Sequence, residues 1–266
     1  MRKPLPVFRR ALADSWRSLL GWTAGVVAAL MLYLPLYPSV GGSGQMQDML
    51  ESMPPELINT LGFEQIGTGA GYAQSTFFGL IGFLLLTIAA TSWGSAAIAG
   101  AEESGKLELA LAHAVGRTQY ALESALAILV RLLWLGGVAA LLVIGLNEPS
   151  ELGIEPAHAV AASAALVGIT MLSASFALAI GALTGRRSFA TAAGAGLAVL
   201  GYVLNAISNQ SDDLDALSVV SPYDWAYAAT PLADGADWLG LGLLWGFSVV
   251  FVAVATFALR RRDITG

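Results

Sequence analysis

Residues 77–101 form a run of 25 amino acids without a single charge. About 20 apolar residues are enough for a helix to cross the roughly 30 Å hydrocarbon core of a bilayer. Lipid offers no hydrogen bonds to the backbone, so such a run crosses as a helix, whose peptide groups bond within the segment. The run therefore predicts an integral membrane protein. Only 12% of all residues are charged, about half the share typical of soluble domains.

Five further segments meet the same criterion, which gives an all-α, polytopic fold with six transmembrane helices. The predicted spans cover residues 19–36, 77–100, 121–146, 159–183, 188–208 and 238–259. Short connections and the absence of any soluble-domain pattern indicate one membrane domain over residues 1–266, with a structured outer loop over 209–237. Six spans place both termini on the same side of the membrane.

The charges separate by side, which tests this layout. All 13 lysines and arginines lie in or next to segments assigned to the inside, whereas thirteen of the 19 acidic residues lie in outer loops. Basic residues resist translocation, so the basic side is the cytoplasmic one. Both termini and the loop over 101–120 are therefore predicted to be cytoplasmic.

Residues 1–18 alternate basic and apolar side chains at helical spacing. This pattern predicts an interfacial amphipathic helix that leads into span one. A cleaved signal peptide is the alternative, although no small-x-small cleavage site follows cleanly. The alternating residues are Arg2, Lys3, Leu5, Phe8, Arg9, Arg10, Leu12, Trp16 and Arg17.

Two outer segments carry enough apolar residues to be ordered. Residues 45–62 predict a short amphipathic helix, broken at Pro54 and Pro55. Residues 214–227 are rich in tyrosine and tryptophan, which favour the membrane interface. This segment either dips into the outer interface or forms an ordered cap on the bundle.

Arg131 is the one basic residue inside an apolar run, and Glu123 lies about two helical turns before it. The two side chains can share a face and form an intramembrane charge pair. An intramembrane charge is costly and is by default a functional hypothesis. The alternatives are that Arg131 snorkels to the inner headgroups or binds an anionic headgroup or substrate.

Span five carries small residues four positions apart. Gly194 and Ala198 form one such series with Ala190, and Gly196 forms a second with Ala192. Such spacing allows close approach of helices in lipid. The contact lies either within the chain or across a dimer, with the dimer slightly favoured.

Motifs of catalysis and metal binding receive little support. Residues 100–107 approach a phosphate-binding P-loop, but Leu107 replaces the hydroxyl that would hold magnesium, and Glu102 and Glu103 would repel phosphates. The two histidines, His113 and His158, fall on opposite sides of the membrane, and cysteine is absent. We therefore expect no catalytic residue, metal site or cofactor on this chain, and no nucleic-acid partner.

The loop over 101–120 combines acidic, apolar and basic residues in an ordered series. Glu102 and Glu103 precede apolar positions at helical spacing, among them Leu107 and Leu111, and Arg117 follows. Charges of these signs suit the two ends of a helix dipole. The series predicts a short two-faced helix on the inside of the membrane that can dock on a soluble partner.

At these residues the chain resembles the membrane subunits of ATP-binding-cassette exporters of the second type, which are bacterial six-span permeases. Their corresponding loop reads as an acid, a glycine, an apolar helix and then Pro-x-x-Arg. Here Glu102 or Glu103, Gly105, Leu107 to Leu111 and Arg117 match it, and Ala114 stands where proline is usual. Ser221-Pro222 before span six and the basic C-terminal end support the resemblance.

The resemblance implies the permease half of an exporter in a bacterial inner (plasma) membrane. A separate cytosolic ATPase would bind ATP and Mg, and a second permease copy, identical or a close paralogue, would pair with this chain in contact with membrane lipid. Glu102, Glu103, Gly105, Leu107, Leu111 and Arg117 would couple the two proteins. Efflux of an amphipathic drug, antibiotic or lipid is the expected activity.

Two other classes fit a six-span chain. A scaffold or immunity protein would need no ATPase, and neither would a passive channel. Few polar residues lie within the spans, which leaves little to line a wet pore. An ATPase partner therefore separates the exporter from both alternatives.

Overall fold

The computed structural model describes residues 5–40, 67–112, 115–210 and 212–262. Six helical segments long and apolar enough to cross a membrane occur in these ranges, so the predicted all-α fold with six spans is confirmed. Spans one to six cover, in order, Pro6–Ser39, Gly69–Glu103, Arg117–Leu146, Pro156–Thr184, Arg187–Ser208 and Trp238–Arg261. The helix predicted within 45–62, as well as His113 and Ala114, lie outside the described residues.

Span four is the centre of the bundle. It packs against spans two, three, five and six, and 83% of its most apolar stretch is buried, against 22% for spans one, five and six. Alanine, glycine and serine dominate this helix, and small side chains let neighbouring backbones approach closely in lipid. Gly94 of span two illustrates the closeness, since a Cβ atom there would lie 2.4 Å from the carbonyl oxygen of Ala174.

Sequence signals at the ends of span four explain its bounds. Pro156 occupies the first turn, where its missing N–H is no loss. Gly185 follows the last helical residue with a φ of 68°, a left-handed conformation that glycine adopts without strain. The chain can therefore reverse within two residues and start span five at Arg187.

The N-terminal segment predicted to lead into span one is helical and continuous with it. One unbroken α-helix runs from Pro6 to Tyr33 and joins the predicted helix over 1–18 to span one. A helix of 28 residues is about 42 Å long, which exceeds the roughly 30 Å apolar core of a bilayer. The first turns thus extend beyond the apolar part, and their position at the membrane interface stays a prediction.

Span two contains two π-helical segments, Gln74–Ile81 and Ala96–Gly100. Each contains a carbonyl oxygen that accepts a hydrogen bond from a tyrosine of another element. The Tyr223 hydroxyl donates to Gly79 at 2.9 Å, and the Tyr120 hydroxyl donates to Ala97 at 3.1 Å. The π turns, which are often found at functional positions, are therefore fixed to the outer loop and to span three.

The outer loop before span six is helical for much of its length. A 3-10 segment, Asp212–Val220, precedes a short α-helix, Pro222–Tyr227. Tyr223 of this outer helix packs edge-on against Phe83 and Tyr202, with ring centroids 5.4 and 5.2 Å apart. The outer helix therefore packs against spans two and five.

Asp224 of the outer helix gives stability a pH dependence. Its carboxylate is buried, which raises its pKa, although the side chains of Ser221 and Asn205 act in the opposite direction. A folded-state pKa above the unfolded value means that stability falls as pH rises from about 4 through the folded-state pKa, and is constant beyond it.

We expect Asp224→Asn to remove this dependence, because an amide does not titrate in this range. Its oxygen can still accept from Asn205, so the fold is kept. The melting temperature of the purified protein, measured from pH 4 to pH 8, should fall more for the wild type than for Asp224→Asn. Glu148→Gln, which changes an exposed outer acid, should follow the wild type. Parallel curves of melting temperature against pH for all three proteins would refute the assignment of this pH dependence to Asp224.

Candidate coupling site at the basic end of the bundle

The segment between spans two and three forms a short helix after a tight turn. Gly105 makes the turn with a φ of 68°, and the loop helix, Lys106–Ala112, follows. Leu107 is fully buried, whereas Leu109 is 63% exposed and Glu108 is also exposed. The loop helix is thus anchored on one face and presents the other to solvent.

Glu102 connects the end of span two to the end of span six. Its carboxylate forms an ion pair with Arg262, and the two side chains are only 18% and 22% exposed. A Cβ atom on Gly185 would lie 2.6 Å from Nη1 of Arg262 and 2.9 Å from Oε1 of Glu102. Glycine at 185 therefore gives room to this pair in its present position. We call the pair the Glu102–Arg262 clamp.

Glu103 and Arg117 connect the same region to two further spans. Oε1 of Glu103 accepts a hydrogen bond of 2.7 Å from the backbone N–H of Arg187, the first residue of span five. Nη1 of Arg117, at the start of span three, donates to the carbonyl oxygen of Arg262 at 2.7 Å. An anion at a helix N-terminus and a cation at a helix C-terminus both suit the helix dipole.

Glu123 holds the N-terminal helix to span three. Its Oε2 accepts hydrogen bonds of 2.7 and 2.9 Å from the backbone N–H groups of Val7 and Phe8, and Gln119 donates to Oε1 at 2.6 Å. The first N–H groups of a helix lack partners within it. Glu123 thus caps span one from a position more than one hundred residues away.

Replacing Glu123 by alanine should free the start of span one. We expect a loss of about 1–2 kcal/mol, as for other helix caps, and amide exchange at Val7 and Phe8 about tenfold faster by hydrogen–deuterium exchange. Asp14→Asn is the matched control, since its pair with Arg10 is on the surface and is worth little. Unchanged exchange at Val7 and Phe8 in Glu123→Ala would contradict the capping role.

These contacts gather the ends of five spans at one end of the bundle. The family model described as ABC-2 family transporter protein matches residues 5–264, which is nearly the whole chain. The chain belongs to the ABC-2 transporter family. Membership of this family makes the chain a membrane component of an ATP-binding-cassette transporter, a multi-pass transport subunit that is not itself the catalyst. No curated protein matches it.

Most residues predicted to couple this ABC-2 permease to a partner contact the chain itself. Glu102, Glu103 and Arg117 bind the ends of other spans, Leu107 is buried, and Leu111 is half-buried. Nothing local in the sequence marks the partners of these residues, which are Arg187, Arg262 and the close-packed Gly185, or the exposure of Glu108 and Leu109. The surplus of basic residues at the C-terminal end was the only signal for Arg262.

The predicted charge pair between Glu123 and Arg131 is not formed. Glu123 binds the start of span one, and Nε of Arg131 donates to the carbonyl oxygen of Ala127 at 2.8 Å. The Arg131 guanidinium lies 4.8 Å from the ring centroid of Trp93 in span two, and only 6% of the residue is exposed. A cation on an aromatic face gains about 2 kcal/mol when desolvated, which offsets part of the cost of burial. Anion binding by Arg131 stays a prediction.

The two small-residue series of span five face different surroundings. A Cβ atom on Gly194 would lie 2.5 Å from Cγ2 of Thr91 and 2.8 Å from the carbonyl oxygen of Ser173. Ala198 is buried as well, whereas Gly196 is exposed and a Cβ atom there would meet nothing within 4 Å. Gly194 and Ala198 therefore lie within the chain's own packing, and Gly196 lies on its outer surface.

Proposed function

We propose that this ABC-2 permease is the membrane half of an ATP-driven exporter of amphipathic or lipophilic molecules in a bacterial plasma membrane. A separate ATPase carries ATP and Mg, docks on the cytoplasmic loop helix, and drives two permease copies that line the substrate path. Both termini are cytoplasmic in this arrangement.

The observation that carries the proposal is how the loop helix is attached. Its Leu107 side chain is buried, and the Glu102–Arg262 clamp and the contacts of Glu103 and Arg117 tie the flanks of the loop helix to spans five and six. A force on the exposed face would therefore reach several spans at once. A loose connector between spans two and three would need none of these contacts.

The charges inside the spans favour an amphipathic substrate over a metal cation. Among the described residues, Glu123 is the only acidic residue buried within a span, and its oxygens are occupied by Val7, Phe8 and Gln119. Carboxylate and carbonyl oxygens are the ligands that hard metal cations prefer. Buried serine and threonine hydroxyls, such as those of Thr170 and Ser248, donate to carbonyls of their own helix.

The test uses inverted membrane vesicles that contain the permease with its ATPase. Cationic, neutral and anionic amphipathic fluorescent dyes are supplied outside, and accumulation is followed with ATP or with a non-hydrolysable analogue. Accumulation of at least one dye that needs ATP hydrolysis supports export. ATP-independent equilibration would indicate a channel, and no movement of any dye, with no ATPase present in the complex, would favour a scaffold.

A further inference from the structure

An apolar groove lies between spans four and six at the basic end of the bundle. It has a volume of about 650 Å³ and opens on the outer surface of the bundle. Its lining includes Leu183, Val250, Val254 and Phe257, with Arg261 and Arg262 at one end. The groove is therefore amphipathic, with an apolar length and a cationic end.

The length of the groove matches the hydrocarbon thickness of one leaflet of a bilayer. Val250 precedes Arg261 by eleven residues on the helix of span six, which corresponds to about 16 Å at 1.5 Å per residue. Half of the roughly 30 Å hydrocarbon core is about 15 Å. With the arginines at headgroup level, the apolar part of the groove ends near the bilayer centre.

The arginines at the cationic end of the groove have donor groups that are not used in ion pairs or hydrogen bonds among the described residues. The Arg261 guanidinium lies over the ring of Phe257, 4.3 Å from its centroid, and no acidic residue of the described ranges forms an ion pair with it. Nε of Arg262 is buried and has no acceptor within the described part of the chain. A buried donor without a partner costs free energy. Nε has almost no accessible surface, so a phosphate oxygen satisfies it once the Arg262 side chain rotates toward the groove.

We propose that this groove binds one anionic phospholipid of the cytoplasmic leaflet. The phosphate lies between Arg261 and Nε of Arg262, and one acyl chain follows Val254 and Val250 toward the bilayer centre. Basic pockets between transmembrane helices on the cytoplasmic side are suited to anionic headgroups. The leaflet assignment rests on the orientation given under Proposed function, whereas the binding itself does not depend on transport.

The lipid would act on the coupling region through Arg262. One edge of this guanidinium pairs with Glu102, and the Nε edge would bind the phosphate. Both anions then hold the same side chain in place, so the lipid stabilises the Glu102–Arg262 clamp. Loss of the lipid should leave the clamp weaker without breaking it.

Native mass spectrometry of the purified, delipidated permease tests the proposal without the ATPase. The protein is titrated with phosphatidylglycerol and, separately, with phosphatidylcholine of the same acyl chains. We expect one phosphatidylglycerol to bind about tenfold more tightly than phosphatidylcholine, because both lipids offer a phosphate but the choline cation of phosphatidylcholine is repelled by Arg261 and Arg262. Arg261→Gln should abolish the preference, whereas Arg260→Gln, which removes the same charge one residue away from the groove, should keep it.

A second pair of variants tests the acyl-chain path. Ala253 lines the groove, so Ala253→Trp should lower the occupancy by both lipids about tenfold. Val249 is 67% exposed on the same helix but does not line the groove, so Val249→Trp should bind as the wild type does. Equal effects of the two arginine variants, or normal binding by Ala253→Trp, would overturn the proposal. A protein that binds phosphatidylglycerol as expected but recovers no ATPase would instead contradict the proposed function alone.

Discussion

Reversing the charge of Glu102 to arginine is expected to destabilise the basic end of the bundle strongly. Arg262 would lose its partner and face a like charge in a region where both side chains are largely buried. Hydrogen bonds to charged groups contribute about 1.5–3 kcal/mol, and the low exposure of both side chains limits screening by salt. We therefore expect Glu102→Arg to lower the melting temperature in detergent and to abolish ATP-dependent transport.

Exchanging the two residues distinguishes the interaction energy of the pair from the effects of each residue's surroundings. The double variant Glu102→Arg with Arg262→Glu should recover most of the melting temperature, and the double-mutant cycle should give a coupling energy of about 1.5–3 kcal/mol. Glu108→Arg is the matched control, because it makes the same charge change on the exposed face of the loop helix. It should leave the melting temperature unchanged. A coupling energy near zero would mean that the clamp does not contribute to stability.

Replacing Gly194 by leucine is expected to have the largest effect on folding. The new side chain would collide with Thr91, with the Ser173 backbone and with Ala177 in two neighbouring spans. Overpacking of a tight core costs about 1–3 kcal/mol and sometimes more, and backbone atoms here cannot move aside as a flexible side chain could. We expect little folded Gly194→Leu protein in size-exclusion chromatography after extraction.

Gly196→Leu provides the matched control two residues away. A Cβ atom at Gly196 meets nothing within 4 Å in the chain, so the variant should be extracted and melt like the wild type. If two permease copies pair through this surface, Gly196→Leu should shift the particle to a smaller size without unfolding it. Equal loss of both variants would contradict the packing assigned to span five.

The spans could be predicted because hydrophobic length is a local property of the sequence. The clamp could not, since Glu102 and Arg262 are separated by 160 residues and nothing local marks them as partners. Glu123 was linked to Arg131 because opposite charges at helical spacing suggest a pair. Its partners are two backbone N–H groups of span one, which nothing in the sequence marks, and the side chain of Gln119 one turn earlier.

The faces of span five were equally hard to distinguish from sequence. Lipid-facing residues are as apolar as core residues, so the series with Gly194 and the series with Gly196 look alike. Packing against spans two and four decides between them. The exposed face of the loop helix could not be predicted either. The sequence indicates its apolar positions, but the exposure of Leu109 depends on how Leu107 is anchored.

The most direct test of the account is a co-purification through the loop helix. The permease, tagged at its C-terminus, is extracted from its native membranes in mild detergent, and bound proteins are quantified by mass spectrometry for the wild type and Leu109→Asp. We expect a soluble ATPase in about equal amount with the wild type, and at least tenfold less with a Leu109→Asp protein that melts normally. Recovery of no ATPase with the wild type, or equal recovery with both, would contradict the claim that this exposed face is where the ATPase docks.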